Sequence, residues 1–156
     1  MAFNVFISHS VRDMDVVYQF KQWLEHYGIV VYVDSMQPQY GSPLRVKVSD
    51  AIAHSDCVIA ILTQNGARAD WVNQEIGYAI HAGKPIIPVV EDGVKVKGFI
   101  AEVDHVTFQV TDPATAITNV ISYVGKLKTG KEQKEKVQAV LIALLGVIAL
   151  AAISQK

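Results

Sequence analysis

The chain has 156 residues, 14 basic and 15 acidic, for a formal net charge of −1, with 51% of its residues hydrophobic. That length suits one domain with a full core and is a squeeze for two. The charge balance offers no basic excess to grip a phosphate backbone, so nucleic acid is not an expected partner. A single cysteine, Cys57, excludes an internal disulfide, and the opening Met1-Ala2-Phe3-Asn4 lacks the basic region and apolar run of a signal peptide. The folded part is therefore expected in the cytoplasm.

Along the first ninety residues, short apolar runs alternate with stretches of helical period, the pattern of successive βα units around a parallel sheet. Phe3–Ile7 reads as the first strand. From Asp13 to Tyr27, Val16, Val17, Phe20, Trp23, Leu24 and Tyr27 recur at amphipathic spacing, and Gly28 caps the helix. Ile29–Val33 and Cys57–Leu62 are continuous apolar runs rich in β-branched residues, read as interior strands covered on both faces. Between them a loop from Asp34 to Pro43 leads into a helix from Leu44 to His54 that turns Val48, Ala51 and Ile52 inward. A purely structural βα link needs only about two to six residues, so this loop is expected to be functional. A third helix, Asp70–His81, lays Val72, Ile76, Ala79 and Ile80 on the sheet and stops at Gly83. Pro85–Val90 and a weaker Val106–Val110 complete five strands, and Pro113–Leu127 closes the domain behind Asp112 as cap. Right-handed crossovers then give a flavodoxin-like doubly wound α/β fold with ligands at the carboxyl ends of the strands.

The domain is read as residues 1–127, a charged linker as 128–136, and an apolar helix as 137–153, broken only by Gln138. That tail accounts for much of the mean hydropathy of +0.25. At 1.5 Å per residue it covers roughly 25 Å against the ~30 Å of a hydrocarbon core, the short end for a span. Lys128, Lys131, Lys134 and Lys136 precede it, so a C-terminal membrane anchor with the domain in the cytoplasm is expected. The alternative is a buried helix that packs on the domain or mediates assembly.

Three stretches at strand ends resemble the TIR (Toll/interleukin-1 receptor) domain family. Phe6-Ile7-Ser8-His9-Ser10 with Asp13 resembles the family's first box. Asp34–Leu44, with Gly41 near its end, resembles the loop that gates the site and mediates domain contacts. Ile61-Leu62-Thr63-Gln64-Asn65 followed by Trp71-Val72-Asn73-Gln74-Glu75 resembles the family's strand, polar loop and Trp-x-x-x-Glu helix, with Thr63 where serine is common. The resemblance covers residues 3–127 and is nearest to the prokaryotic NAD+-cleaving type, such as the TIR proteins of Thoeris antiphage defence.

What the resemblance implies is a catalytic Glu75, with Phe6, Ser8, Asp34, Gly41 and Trp71 binding substrate. NAD+ is then a substrate, with no cofactor and no metal, and the product is ADP-ribose or a cyclic messenger sensed by a downstream effector. It also implies activation by TIR–TIR self-association. Trp71 and Glu75, four residues apart, share a helix face and can meet one ligand. One carboxylate suffices because nicotinamide leaves as a neutral ring without a general acid, and what remains to be stabilised is positive charge on the ribose.

The alternatives are a TIR adaptor acting only by association and a nucleoside-modifying glycosyl transferase. No Gly-x-Gly-x-x-Gly follows a strand, which argues against a redox dinucleotide enzyme. Ser8-His9-Ser10 and Thr63 stand where a response regulator needs carboxylates. The histidines are scattered, and only His54 has Asp56 and Cys57 near it, a poor metal set. His9 beside Ser8 lacks the elbow of a nucleophile pair.

Overall fold

The computed structural model describes residues 2–34 and 44–154. Five strands, β1 (Phe3–Ser8), β2 (Ile29–Val33), β3 (Cys57–Leu62), β4 (Ile86–Glu91) and β5 (Val106–Phe108), form a wholly parallel sheet in the order β2-β1-β3-β4-β5. The helices are α1 (Met14–His26), α2 (Leu44–His54), α3 (Asp70–His81) and α4 (Ala114–Ser154). The fold is the expected flavodoxin-like one. The step from β1 to β2 runs opposite to those from β2 to β3 and β3 to β4. Right-handed crossovers therefore put α1 on one face and α2 with α3 on the other, and strand order reverses between β1 and β3.

Burial follows from this topology. Every residue of β3, the central strand, is buried. The expectation that β2 is also interior is corrected: it is an edge strand, with Val30 and Tyr32 exposed. On α1, Val16, Val17, Phe20 and Leu24 are buried, Phe20 edge-on to Phe108 at 6.3 Å, whereas Trp23 and Tyr27 face outward instead of packing on the sheet. Both α1 and α3 end where Gly28 (φ 71) and Gly83 (φ 65) take the left-handed conformation of a helix stop. On α3 the inward stripe is Val72, Glu75, Ile76 and Ala79, while Ile80 is exposed. A carboxylate thus occupies a position that periodicity assigns to an apolar side chain.

The chain divides into two compact units, residues 2–121 and a second from residue 122 onward. Within the first, Ala116, Ile117 and Val120 of α4 are buried. In the second, the stretch read as a linker is helical, part of α4, and Lys131 pairs with Glu135 one turn on (4.0 Å). The expected membrane anchor is overturned: among the described residues no helix is long and apolar enough to cross a membrane. A span needs about 20 predominantly apolar residues. The middle of α4 instead carries Lys126, Lys128, Lys131, Glu132, Lys134, Glu135 and Lys136, which leaves no charge-poor window of that length there.

Candidate active site

The site is built at the point where strand order reverses. Alternation along β1 turns Phe6 and Ser8 toward α2 and α3. Ser8, the last residue of β1, donates its hydroxyl to Oε2 of Glu75. Glu75 is 4% exposed, and its other oxygen, Oε1, is buried with no hydrogen-bond partner among the described residues. A buried acceptor in that state is stabilised by any donor that reaches it. Burial pushes the Glu75 carboxyl up to about 7. The Ser8 hydroxyl draws it back, Asp34 pushes it further up, and the Trp71 indole draws it down.

Asp34 follows β2 directly and is 7% exposed, and its Oδ2 is likewise buried without a partner among the described residues. Burial raises it above the ordinary aspartate range, against the pull of His9. Tyr32, paired in register with Phe6 and stacked on its ring at 5.6 Å, has its phenol raised by burial and by the fields of Asp34 and Glu75. Two buried acids, Asp34 and Glu75, thus lie within electrostatic reach of each other near the tips of β1 and β2. His9 is held by its Nδ1 at 3.2 Å from the Ile7 carbonyl, and burial keeps it below the usual histidine range.

Beside Glu75, Val48, Ser49 and Ile52 of α2 and Trp71, Gln74 and Tyr78 of α3 enclose a cavity of about 140 Å³. A cavity of roughly 150 Å³ admits a benzene ring, whereas whole-ligand pockets run to about 300–1,000 Å³. The volume beside Glu75 is that of a single flat ring.

The structure therefore brings Ser8, Trp71 and Glu75 together, with Asp34 in electrostatic reach. Phe6 does not line the cavity. It is fully buried beneath it, in a cluster with Val48, Ile52, Val58 and Ala79. Gly41 and the loop 35–43 lie outside the described residues. Tyr32 and His9 were not expected, although the placement of His9 directly after Ser8 at a strand tip was a signal for it.

A second network fixes the strand tips. Asp13, buried after β1, accepts from Thr63 Oγ1 (2.6 Å) and Asn65 Nδ2 (3.1 Å), and Thr63 Oγ1 accepts from the Asn65 and Gly66 amides (3.1 and 3.0 Å). The hydroxyl at Thr63 and the acid at Asp13 therefore act as a clamp between β1 and β3. Gly66 closes it, because an added Cβ would meet the Ile61 carbonyl oxygen at 2.5 Å. Gly66→Ala is expected to destabilise the domain by about 1–3 kcal/mol, as overpacking against backbone does. Urea denaturation checks this, and an unchanged midpoint would mean that the turn relaxes freely.

Comparison with known proteins agrees with this architecture. The TIR domain family profile matches residues 5–120. Over 94 residues the chain is 27% identical to a Methanobrevibacter olleyae protein named "Probable 2' cyclic ADP-D-ribose synthase TcpO", an alignment covering 58% of this chain and 28% of that one. The chain thus spans well under a third of that relative. Among solved structures, the TIR domain of the Toll-related receptor TRR-2 from Hydra magnipapillata superposes with a TM-score of 0.65 at 18% identity, over 77% of this chain and 96% of that one. The Clostridium botulinum CMP N-glycosidase BcmB superposes at 0.58 and 19%, over 77% and 98%. With its profile match running from within β1 to beyond β5 and its fold shared with a solved TIR structure, the chain belongs to the TIR domain family.

Proposed function

We propose that the domain cleaves NAD+ at the bond between nicotinamide and ribose. The observation that carries this reading is a buried carboxylate, Glu75, held by Ser8 at the strand switch point, with one oxygen lacking a partner among the described residues, next to a cavity sized for one ring. The name of the archaeal relative, a cyclic ADP-ribose synthase, supports the same bond. In the step, the ribose C1′–N bond breaks and its electron pair goes to the nicotinamide nitrogen, which leaves neutral. The resulting oxocarbenium charge is stabilised by ionised Glu75 in a water-poor site. Water then adds to C1′ and releases a proton, giving ADP-ribose, or an internal hydroxyl or ring nitrogen adds and gives a cyclic product. Trp71 forms an aromatic wall, and Asp34 and Glu75 each offer ribose hydroxyls an oxygen that has no partner among the described residues. Association of TIR domains raises activity by assembling the site.

The test is NAD+ consumption, with products resolved by mass, for wild type and Glu75→Ala, both clustered on beads. Turnover that depends on Glu75 supports the reading. No turnover by either protein would overturn it in favour of an adaptor, and turnover of free nucleosides but not NAD+ would assign a different glycosidic substrate. Ser8→Ala provides a second handle. Removing the hydroxyl that favours the ionised carboxylate is expected to move the rise of kcat/KM with pH to higher pH, whereas an unmoved profile would show that Ser8 only packs.

A further inference from the structure

On the flank of α3 opposite the Glu75 cavity lies a larger and chemically different groove of about 560 Å³, at the carboxyl ends of β3 and β4. It is lined by Arg68 from the turn after β3, by Asn73 of α3, and by Lys95 and Lys97 from the strap after β4. The strap is shaped by its sequence. Val94 bonds back to the Glu91 carbonyl (3.0 Å) across a turn with Gly93 at φ 79, and the run Val94-Lys95-Val96-Lys97 then alternates. Val94 and Val96 pack on the core formed by Ala60, Leu62, Val72, Ile76 and Val90. Alternation therefore sends Lys95 and Lys97 to the same outer side, about 7 Å apart along an extended chain.

Arg68, Lys95 and Lys97 form no ion pair among the described residues, and no carboxylate lines the groove. Glu91 is engaged by the Gln64 amide (2.9 Å), outside the lining. Three convergent cations without an ion-pair partner among the described residues have the composition of a site for a doubly charged or higher anion.

We propose that this groove is a binding site for a pyrophosphate-bearing small molecule, separate from the Glu75 cavity. Arg68 grips one phosphate through its planar fork, and Lys95 and Lys97 act as point charges on the other. The proposal does not depend on NAD+ cleavage, because its readout is binding alone.

Calorimetric titration of the whole chain with ADP, inorganic pyrophosphate and adenosine tests it. ADP and pyrophosphate are expected to bind with an affinity that falls as salt rises, and adenosine is not. Binding of ADP without pyrophosphate would narrow the class to nucleotides, with the groove still required. Lys95→Glu combined with Lys97→Glu, both exposed and not expected to alter the melting temperature, should weaken ADP by about a hundredfold, on the order of tenfold for each charge-assisted hydrogen bond removed. Trp71→Ala should leave ADP affinity unchanged. Absence of ADP and pyrophosphate binding, or ADP binding that survives the double reversal, or its loss in Trp71→Ala, would overturn the proposal.

Discussion

Glu75→Gln is expected to reduce NAD+ cleavage by a factor on the order of a thousand while leaving the domain folded. Removing one preorganised group that stabilises transition-state charge costs about 10²–10³ in rate, and a full negative charge in a desolvated site belongs at the upper end of that range. Glutamine keeps the volume, and its amide oxygen still accepts from Ser8. The change therefore removes the charge and little else. The loss should fall on kcat more than on KM, because positive charge moves from the ring onto the ribose only in the transition state. Single-turnover measurements on clustered protein check it, and a variant within a few-fold of wild type would remove Glu75 from the chemistry. In the free protein the carboxyl sits at about 7, so kcat/KM of wild type should rise with pH through that region as the ionised form becomes populated.

The same substitution is expected to stabilise the fold above neutral pH. Glu75 is raised in the folded state from 4.5 to about 7. Below about pH 4.5 both folded and unfolded chains hold the proton and the group is neutral to stability. Between 4.5 and 7 the folded chain binds more protons than the unfolded one, so stability falls as pH rises, and above 7 the full penalty of the buried charge is present. At 1.36 kcal/mol per unit, the penalty is on the order of 3 kcal/mol. Glu75→Gln should recover ~1–3 kcal/mol of it at pH 8 and little at pH 4.5. For a chain of this size the shift in melting temperature is about 2–4 °C per kcal/mol. Melting curves at the two pH values check this, and equal shifts at both would mean that the carboxyl is solvated.

The βα alternation and the shared helix face of Trp71 and Glu75 were legible in the sequence, because continuous apolar runs and 3.6-residue spacing are local signals. What was not legible depends on which elements become neighbours. Ile29–Val33 reads the same whether a strand is covered on one face or two, and only the position of β2 at the sheet edge leaves Tyr32 half exposed beside Asp34. Tyr32 stacks on Phe6 through their register, which is a property of pairing and not of either strand. Trp23 and Tyr27 fit an apolar stripe by spacing, but they lie at its margin, where aromatic rings are tolerated in water. The inward turn of Glu75 was hidden for the opposite reason. Val72, Ile76 and Ala79 define a buried stripe whose gap at 75 looks like a boundary charge until Ser8 is seen to reach it.

An acid in the inward stripe of α3 also bears on descent. Drift at residue 75 runs toward uncharged side chains, since these ease folding, and a lineage released from selection for activity should lose the acid early while keeping the domain intact. Well-folded relatives without it are therefore the expected by-product of ordinary mutation. Among relatives, persistence of the acid marks use, and its replacement carries no implication of a broken protein.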